Sequence, residues 1–211
     1  MFTLKCNKPI AVDSPDHIHP HGTANDNSKN YNFNKVIYEI LDVNKIRIMD
    51  IGCSGGGMVE DFLKDGHIAI GLEGSNYSLL NKRACWATIP ENLFTCDVTD
   101  EYQVFYNYKP FKAHVITAWE VMEHFKQESV DFVISQIHKH LEKNGLFICS
   151  ISLSANGNET WHQCVQTIDW WNKKFEDKGF KIREDYKKYI HSHNAWVRYY
   201  ANDYNQVYQK I

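Results

Sequence analysis

The stretch WEVMEHF, Trp119 to Phe125, sets Glu120, Glu123 and His124 within five positions. Two carboxylates and an imidazole at i, i+3 and i+4 share one face if a helical turn begins there. That donor set suits a divalent cation such as Mg²⁺ or Mn²⁺. A further histidine, His162, follows the next apolar run in TWHQCV and is a candidate fourth ligand. The same groups serve other ends. His124, His162 or Glu120 could act catalytically on a hydroxyl proton, and the cluster could equally be a capping acid pair beside a structural histidine.

A second chemistry-bearing stretch is DIGCSGG, Asp50 to Gly56. Its glycines let a backbone approach a ligand closely. It is not the G-x-G-x-x-G dinucleotide fingerprint, because Ser54 occupies the second glycine position, and no Gly-Lys-Ser/Thr follows as in a phosphate loop. Glu73 ends the following apolar run, at the spacing of a carboxylate that accepts from two ribose hydroxyls. Asp97 ends the third run, where it could take an adenine amino group.

These residues need elements to hold them. Apolar runs at 45–52, 67–73, 92–97, 113–120 and 146–153 read as strands. Helical periodicity covers 33–41, 56–66, 76–88, 128–145 and 167–179, with Val130, Val133, Ile134, Ile137 and Leu141 on one face of the fourth and Trp171 and Phe175 on the core face of the fifth. From Phe180 to Tyr200 the pattern predicts two more strands around HSHN, joined too closely for a helix and therefore antiparallel. Alternating strands and helices predict an α/β, Rossmann-like, mostly parallel sheet with helices on both faces. Ligands then bind beyond the carboxyl ends of the strands, where every residue named above falls.

The length of 211 residues suits one domain, with 1–32 irregular and a possible lid, and 45–200 as the core. The segment DSPDHIHPHGTANDNSKN is turn chemistry. In it, His17, His19, His21, Asp26 and Asn27 could cover an acceptor, or His-x-His-x-His could hold a second metal. A net charge of −3 without any basic run argues against a nucleic-acid binder. Six cysteines without a C-x-x-C pair give no structural zinc site and point to a reducing compartment. No signal-like or membrane-spanning run is evident, so a soluble intracellular protein is expected.

The glycine turn and its two acids resemble the class I S-adenosylmethionine-dependent methyltransferases, over roughly residues 45–200. The resemblance implies a seven-stranded sheet with an antiparallel C-terminal pair and the cofactor lying across the first strand ends. Asp50, Gly52, Ser54 and Gly55 would border its methionine part, with Trp119 nearby; Glu73 with Gly74 would hold the ribose, and Asp97 with Val98 would border the adenine. The Glu-x-x-Glu-His element further resembles metal-dependent O-methyltransferases, implying an ion on Glu120, Glu123, His124 and His162, although His162 follows sooner than in the RNA-modifying members. HQCVQTIDWWNKKFEDKGF and VDSPDHIHPHGTANDNS resemble segments of methyltransferases of polysaccharide assembly, which implies a sugar or glycan hydroxyl, such as a deoxyhexose, as acceptor, and a possible place in a larger glycan-assembly protein. Catechol-like diols, RNA 2′-hydroxyls and a cofactor-binding module without turnover are the other readings.

Overall fold

The computed structural model describes residues 1–155, 160–198 and 204–211. Its ten strands are β1 (Phe2–Cys6), β2 (Arg47–Ile51), β3 (Ile68–Glu73), β4 (Leu93–Thr95), β5 (Tyr102–Tyr106), β6 (Lys109–Pro110), β7 (Ala113–Trp119), β8 (Leu141–Ser150), β9 (Phe180–Ile182) and β10 (Asn205–Lys210). The α-helices are α1 (Pro15–Ile18), α2 (Gly22–Asn25), α3 (Tyr31–Leu41), α4 (Gly57–Lys64), α5 (Tyr77–Leu80), α6 (Val130–His140), α7 (Ile168–Asp177) and α8 (Glu184–Ser192).

Seven strands form one sheet in the order β4-β3-β2-β7-β8-β10-β9. The first five run parallel, and β10 pairs antiparallel with both β8 and β9. Alternation along each central strand feeds two cores. On β2, Met49 and Ile51 join one apolar cluster while Ile48 joins the other; on β7, Ile116 and Ala118 oppose Val115 in the same way. Helices α6 and α7 cover the first face through Val133, Ile137, Trp171 and Phe175. Helices α3, α4 and α8 cover the second through Phe33, Phe62 and Ile190. A sheet buried on both faces explains the continuous apolar runs of its strands. The expected α/β sheet with its antiparallel C-terminal pair is what the chain builds.

Several expected elements take another form. The N-terminal stretch is not wholly irregular: β1 pairs antiparallel with β5 in a separate three-stranded sheet, order β1-β5-β6. The expected helix over 76–88 ends after one turn, because Lys82 and Ala84 adopt left-handed φ of 47° each, and a 3-10 turn follows at Ala84–Ala87. Helix α6 stops at His140, and Leu141 already belongs to β8, fully buried rather than on a helical face. Of the two strands expected between Phe180 and Tyr200 the first is β9; the strand that pairs with it, β10, begins only at Asn205, and α8 lies between them: Tyr186 and Ile190, four apart, turn one face of EDYKKYIHS onto the second core. HSHN is the end of that helix, and part of the second expected strand lies outside the described residues.

Candidate active site

The carboxyl ends of the parallel strands open into one cleft of about 990 Å³, roofed by residues from 8 to 26. That volume is at the upper end of single-ligand sites, so two ligands fit together. Gly52, Ser54, Glu73, Gly74, Asp97, Val98 and Trp119 all line it.

Glu73 ends β3 and is buried. Its two carboxylate oxygens accept from the backbone N–H of Ser54 at 2.8 Å and of Ser75 at 3.1 Å. A carboxylate has about four acceptor sites, so acceptor capacity remains for ligand hydroxyls. Burial pushes this carboxyl up to about 7, against the backbone donors that lower it. Asp97 follows β4; its Oδ1 accepts from the Thr99 N–H and hydroxyl, and its own N–H donates to the Lys8 carbonyl at 3.0 Å.

Two expected cofactor neighbours stand elsewhere. Asp50 lies behind the glycine turn, accepting the Thr117 hydroxyl at 2.6 Å, where burial lifts its carboxyl to about 7. It does not line the cleft, because strand alternation turns it away. Gly55 faces the N-terminal segment: a Cβ there would come within 2.4 Å of Asn27 Oδ1. Gly52 needs its lack of a side chain twice over, for φ of +70° and for the methyl of Val121 that a Cβ would meet at 2.4 Å. Ser54, with φ of +45°, is not simply an imperfect glycine. Its hydroxyl lies 2.9 Å from the Gly22 carbonyl and 2.8 Å from that of Asp26, and receives Arg83 Nη2 at 2.8 Å. Gly57 N–H donates to Asn27 at 2.7 Å. The turn thus carries the roof on its outer side.

The roof is itself built locally. Asp16 accepts from the N–H groups of His21, Gly22 and Thr23 at 2.8–2.9 Å and so caps α2. His21 faces Trp161 across the cleft, ring centroids 6.1 Å apart. His17 lies beside Ser75. Among the described residues the three N-terminal histidines do not converge, so the second metal reading has no cluster behind it.

Beyond β7 the WEVMEHF stretch makes no α-helical turn. Glu120 adopts φ of +56°, and a 3-10 turn runs from Met122 to His124. Glu120 is therefore not on one helical face with the other two. The Glu120 N–H is anchored by Ser150, whose hydroxyl accepts it at 3.0 Å. The Glu123 carbonyl takes the N–H of both Gln163 and Cys164, at 2.8 and 2.9 Å, which brings His162 beside His124 with ring centroids 5.4 Å apart. One ligand atom each of Glu123, His124 and His162 lies within 4.8 Å of the others. Glu120 is outside that trio.

Glu123 is wholly buried; its Oε1 accepts from the Ser152 N–H at 3.1 Å, and its Oε2 has no partner. Glu120 Oε1 is also buried and unpartnered. Burial, then the Glu120 charge, drives the Glu123 carboxyl well above its usual range. His162 Nδ1 lies 2.8 Å from the Ser154 carbonyl, which can only accept; Nδ1 therefore bears the proton and Nε2 offers a lone pair. Burial, then the neighbouring His162, depresses His124 to about 4, so its imidazole is neutral at ordinary pH.

A family model described as a methyltransferase domain matches residues 25–197. The chain belongs to that family. This methyltransferase domain shares its fold with the TehB-like S-adenosylmethionine-dependent methyltransferase of Corynebacterium glutamicum (15% identity, 86% of this chain and 88% of that one, TM-score 0.59). It is also similar to the magnesium protoporphyrin IX methyltransferase of Synechocystis with bound S-adenosylhomocysteine (13%, 90% and 91%, 0.57) and to the N-methyltransferase NodS of Bradyrhizobium japonicum (13%, 94% and 99%, 0.57). No curated protein matches the sequence at a significant level. Among the described residues no helix is long and apolar enough to cross a membrane.

No local pattern announces Ser152 and Ser154, which orient Glu123 and His162, or Asn27 and Arg83, which hold the roof. Each acts through backbone contacts to residues distant in sequence.

Proposed function

We propose that this methyltransferase moves the methyl group of S-adenosylmethionine to a hydroxyl of a sugar or glycan, assisted by a divalent cation. The observation that carries the reading is the unpartnered buried oxygen of Glu123 beside the nitrogens of His124 and His162. A buried polar atom without a partner is costly, and a cation relieves it. Glu123, His124 and His162 would hold the ion, with Glu120 outside their trio adding negative charge nearby. Bound there, Mg²⁺ or Mn²⁺ would make an acceptor hydroxyl more acidic.

The chain's own residues do the rest. Glu73 accepts the ribose hydroxyls and Asp97 the adenine amino group, each with acceptor capacity to spare beyond its partners in the fold. The roof over the cleft limits water at the reacting atoms. In the transfer the carbon–sulfur bond breaks as the oxygen–carbon bond forms, and the hydroxyl proton leaves to water; the Nε2 lone pair of His162 would take that proton only where no ion occupies it.

Charge favours a neutral acceptor over a nucleic acid. Asp13, Asp16, Asp26, Glu73, Asp97, Glu120 and Glu128 line the cleft against Lys8, Lys126 and Arg198. Such a wall repels phosphates and suits a sulfonium and a metal ion. Trp161, half-buried in the cleft wall beside His21, would offer a face to a sugar ring.

The test is methyl transfer to free sugars, glycosides and catechols, with and without chelator. EDTA should abolish turnover while S-adenosylhomocysteine affinity stays within about twofold, and Mn²⁺ should restore it. Glu123→Gln should behave like the chelated enzyme. Equal rates in EDTA would remove the cation from the reading and leave His162 as an unassisted base. Preference for catechols would move the acceptor class.

A further inference from the structure

The amino-acid end of the cofactor carries a carboxylate, and the cleft is short of cations to receive it. Across the sheet the strand ends run from Asp97 (β4) through Glu73 (β3) and the glycine turn (β2) to Trp119 and Glu120 (β7). With adenine at Asp97 and ribose at Glu73, the reading adopted above, the methionine end falls between the glycine turn and Glu120. The acids nearest that place are Asp26 and Glu120, which repel a carboxylate.

Three cationic side chains line the cleft among the described residues. Lys8 belongs to the adenine end: its carbonyl accepts the Asp97 N–H at 3.0 Å, and its ammonium pairs with Asp100 at 3.3 Å. Lys126 lies beyond the metal-ligand trio. Arg198 stands at the methionine end. Its Nη2 sits 2.5 Å from Asp26 Oδ2, with the side chain only 25% exposed. Its Nε is buried and has no hydrogen-bond partner.

Asp26 is held rigidly enough to aim it. Its Oδ1 accepts the N–H and hydroxyl of Ser28, and its carbonyl takes the N–H of Gly55 in the glycine turn at 3.2 Å. The guanidinium is therefore bracketed against the glycine turn on one side, and its charge reaches Glu120 on the other. A guanidinium is a planar fork of five donors, and the bracket leaves the buried Nε–H without an acceptor.

We propose that Arg198 is the positioning residue for the methionyl carboxylate of the cofactor, with Asp26 fixing the plane of its guanidinium. A charge-assisted pair satisfies the buried Nε–H and offsets the negative wall around it. It also ties the C-terminal half of the chain to the roof, because Asp26 belongs to the roof and Arg198 follows α8.

The experiment is calorimetric titration, without metal or acceptor, of three ligands: S-adenosylhomocysteine, its decarboxylated analogue, and 5′-methylthioadenosine, which lacks the amino-acid end. The wild-type protein should bind S-adenosylhomocysteine about 10- to 100-fold tighter than the decarboxylated analogue. In Arg198→Met that gap should shrink to less than about threefold, with 5′-methylthioadenosine affinity unchanged. Arg198→Lys, which keeps the charge without the fork, should retain part of the gap. A gap that survives in both variants overturns the proposal, as does an equal loss for all three ligands. The adenine and ribose reading fails separately: 5′-methylthioadenosine would then bind Glu73→Ala as well as it binds the wild type.

Discussion

Glu73 is a buried carboxyl whose charge depends on pH, and in the role proposed for it that would couple ligand binding to pH. Burial lifts its carboxyl from about 4.5 to about 7 despite its backbone donors. Because the folded value is the higher one, its contribution to stability is full below about pH 4.5 and is lost as pH rises through about 7. The shift corresponds to a loss on the order of 3 kcal/mol across that window. Urea titrations of the ligand-free protein should show it, and Glu73→Gln should flatten that part of the profile. Ligand hydroxyls donating to the ionised form act the other way, so S-adenosylhomocysteine should bind more tightly at pH 8 than at pH 6. Equal affinity at both, by calorimetry, would take Glu73 out of the contact. Glu73 and Asp97 were legible in the sequence because each ends an apolar run. Arg198 was not: its role comes from Asp26, across the fold, and nothing in its neighbours' periodicity marks it.

At the scale of elements, the roof is the feature the sequence concealed most. Its polar residues read as mobile turn chemistry, yet Asp16, Asn27 and Asp26 each satisfy backbone groups of the roof or glycine turn. Ser54 is the link between the two. Ser54→Gly should relieve a left-handed φ that a side chain rarely adopts, and should also cut the hydroxyl contacts to Gly22 and Asp26. The two effects are similar, about 1 kcal/mol each and opposed, so global stability should change little. Hydrogen exchange of residues 20–28 should nevertheless quicken several-fold, and S-adenosylhomocysteine should dissociate faster. Unaltered exchange would mean that the hydroxyl is no tether. The parallel strands were readable because both faces are buried and their apolar runs are unbroken. Helix α8 was misread because a segment with few apolar residues, of which Ile190 is wholly buried, carries a weak periodic signal. The 3-10 turn at Glu123 was invisible because its shape is set by Gln163 and Cys164 bonding back to one carbonyl.

At the scale of the whole molecule, the sheet is locked from its far end. Tyr208 of β10 is fully buried, stacks on Phe175 at 3.9 Å between centroids, and meets Asn172 through its hydroxyl at 2.9 Å. Tyr208→Ala should cost about 3–5 kcal/mol, measured by urea unfolding, since both the ring and its polar partner are abandoned. A loss under about 1 kcal/mol would mean that α7 packs on the sheet without it. The position of β10 has a consequence for biosynthesis. The strand follows both β8 and β9 in sequence but sits between them. While a ribosome is still translating toward residue 205, β9 has no neighbour to join and β8 presents a bare hydrogen-bonding edge of β-rich sequence. The nascent polypeptide must therefore wait for β10 to thread the gap. Messages truncated just before that strand would yield chains whose open edges seek one another, and such chains are substrates for chaperones and proteases.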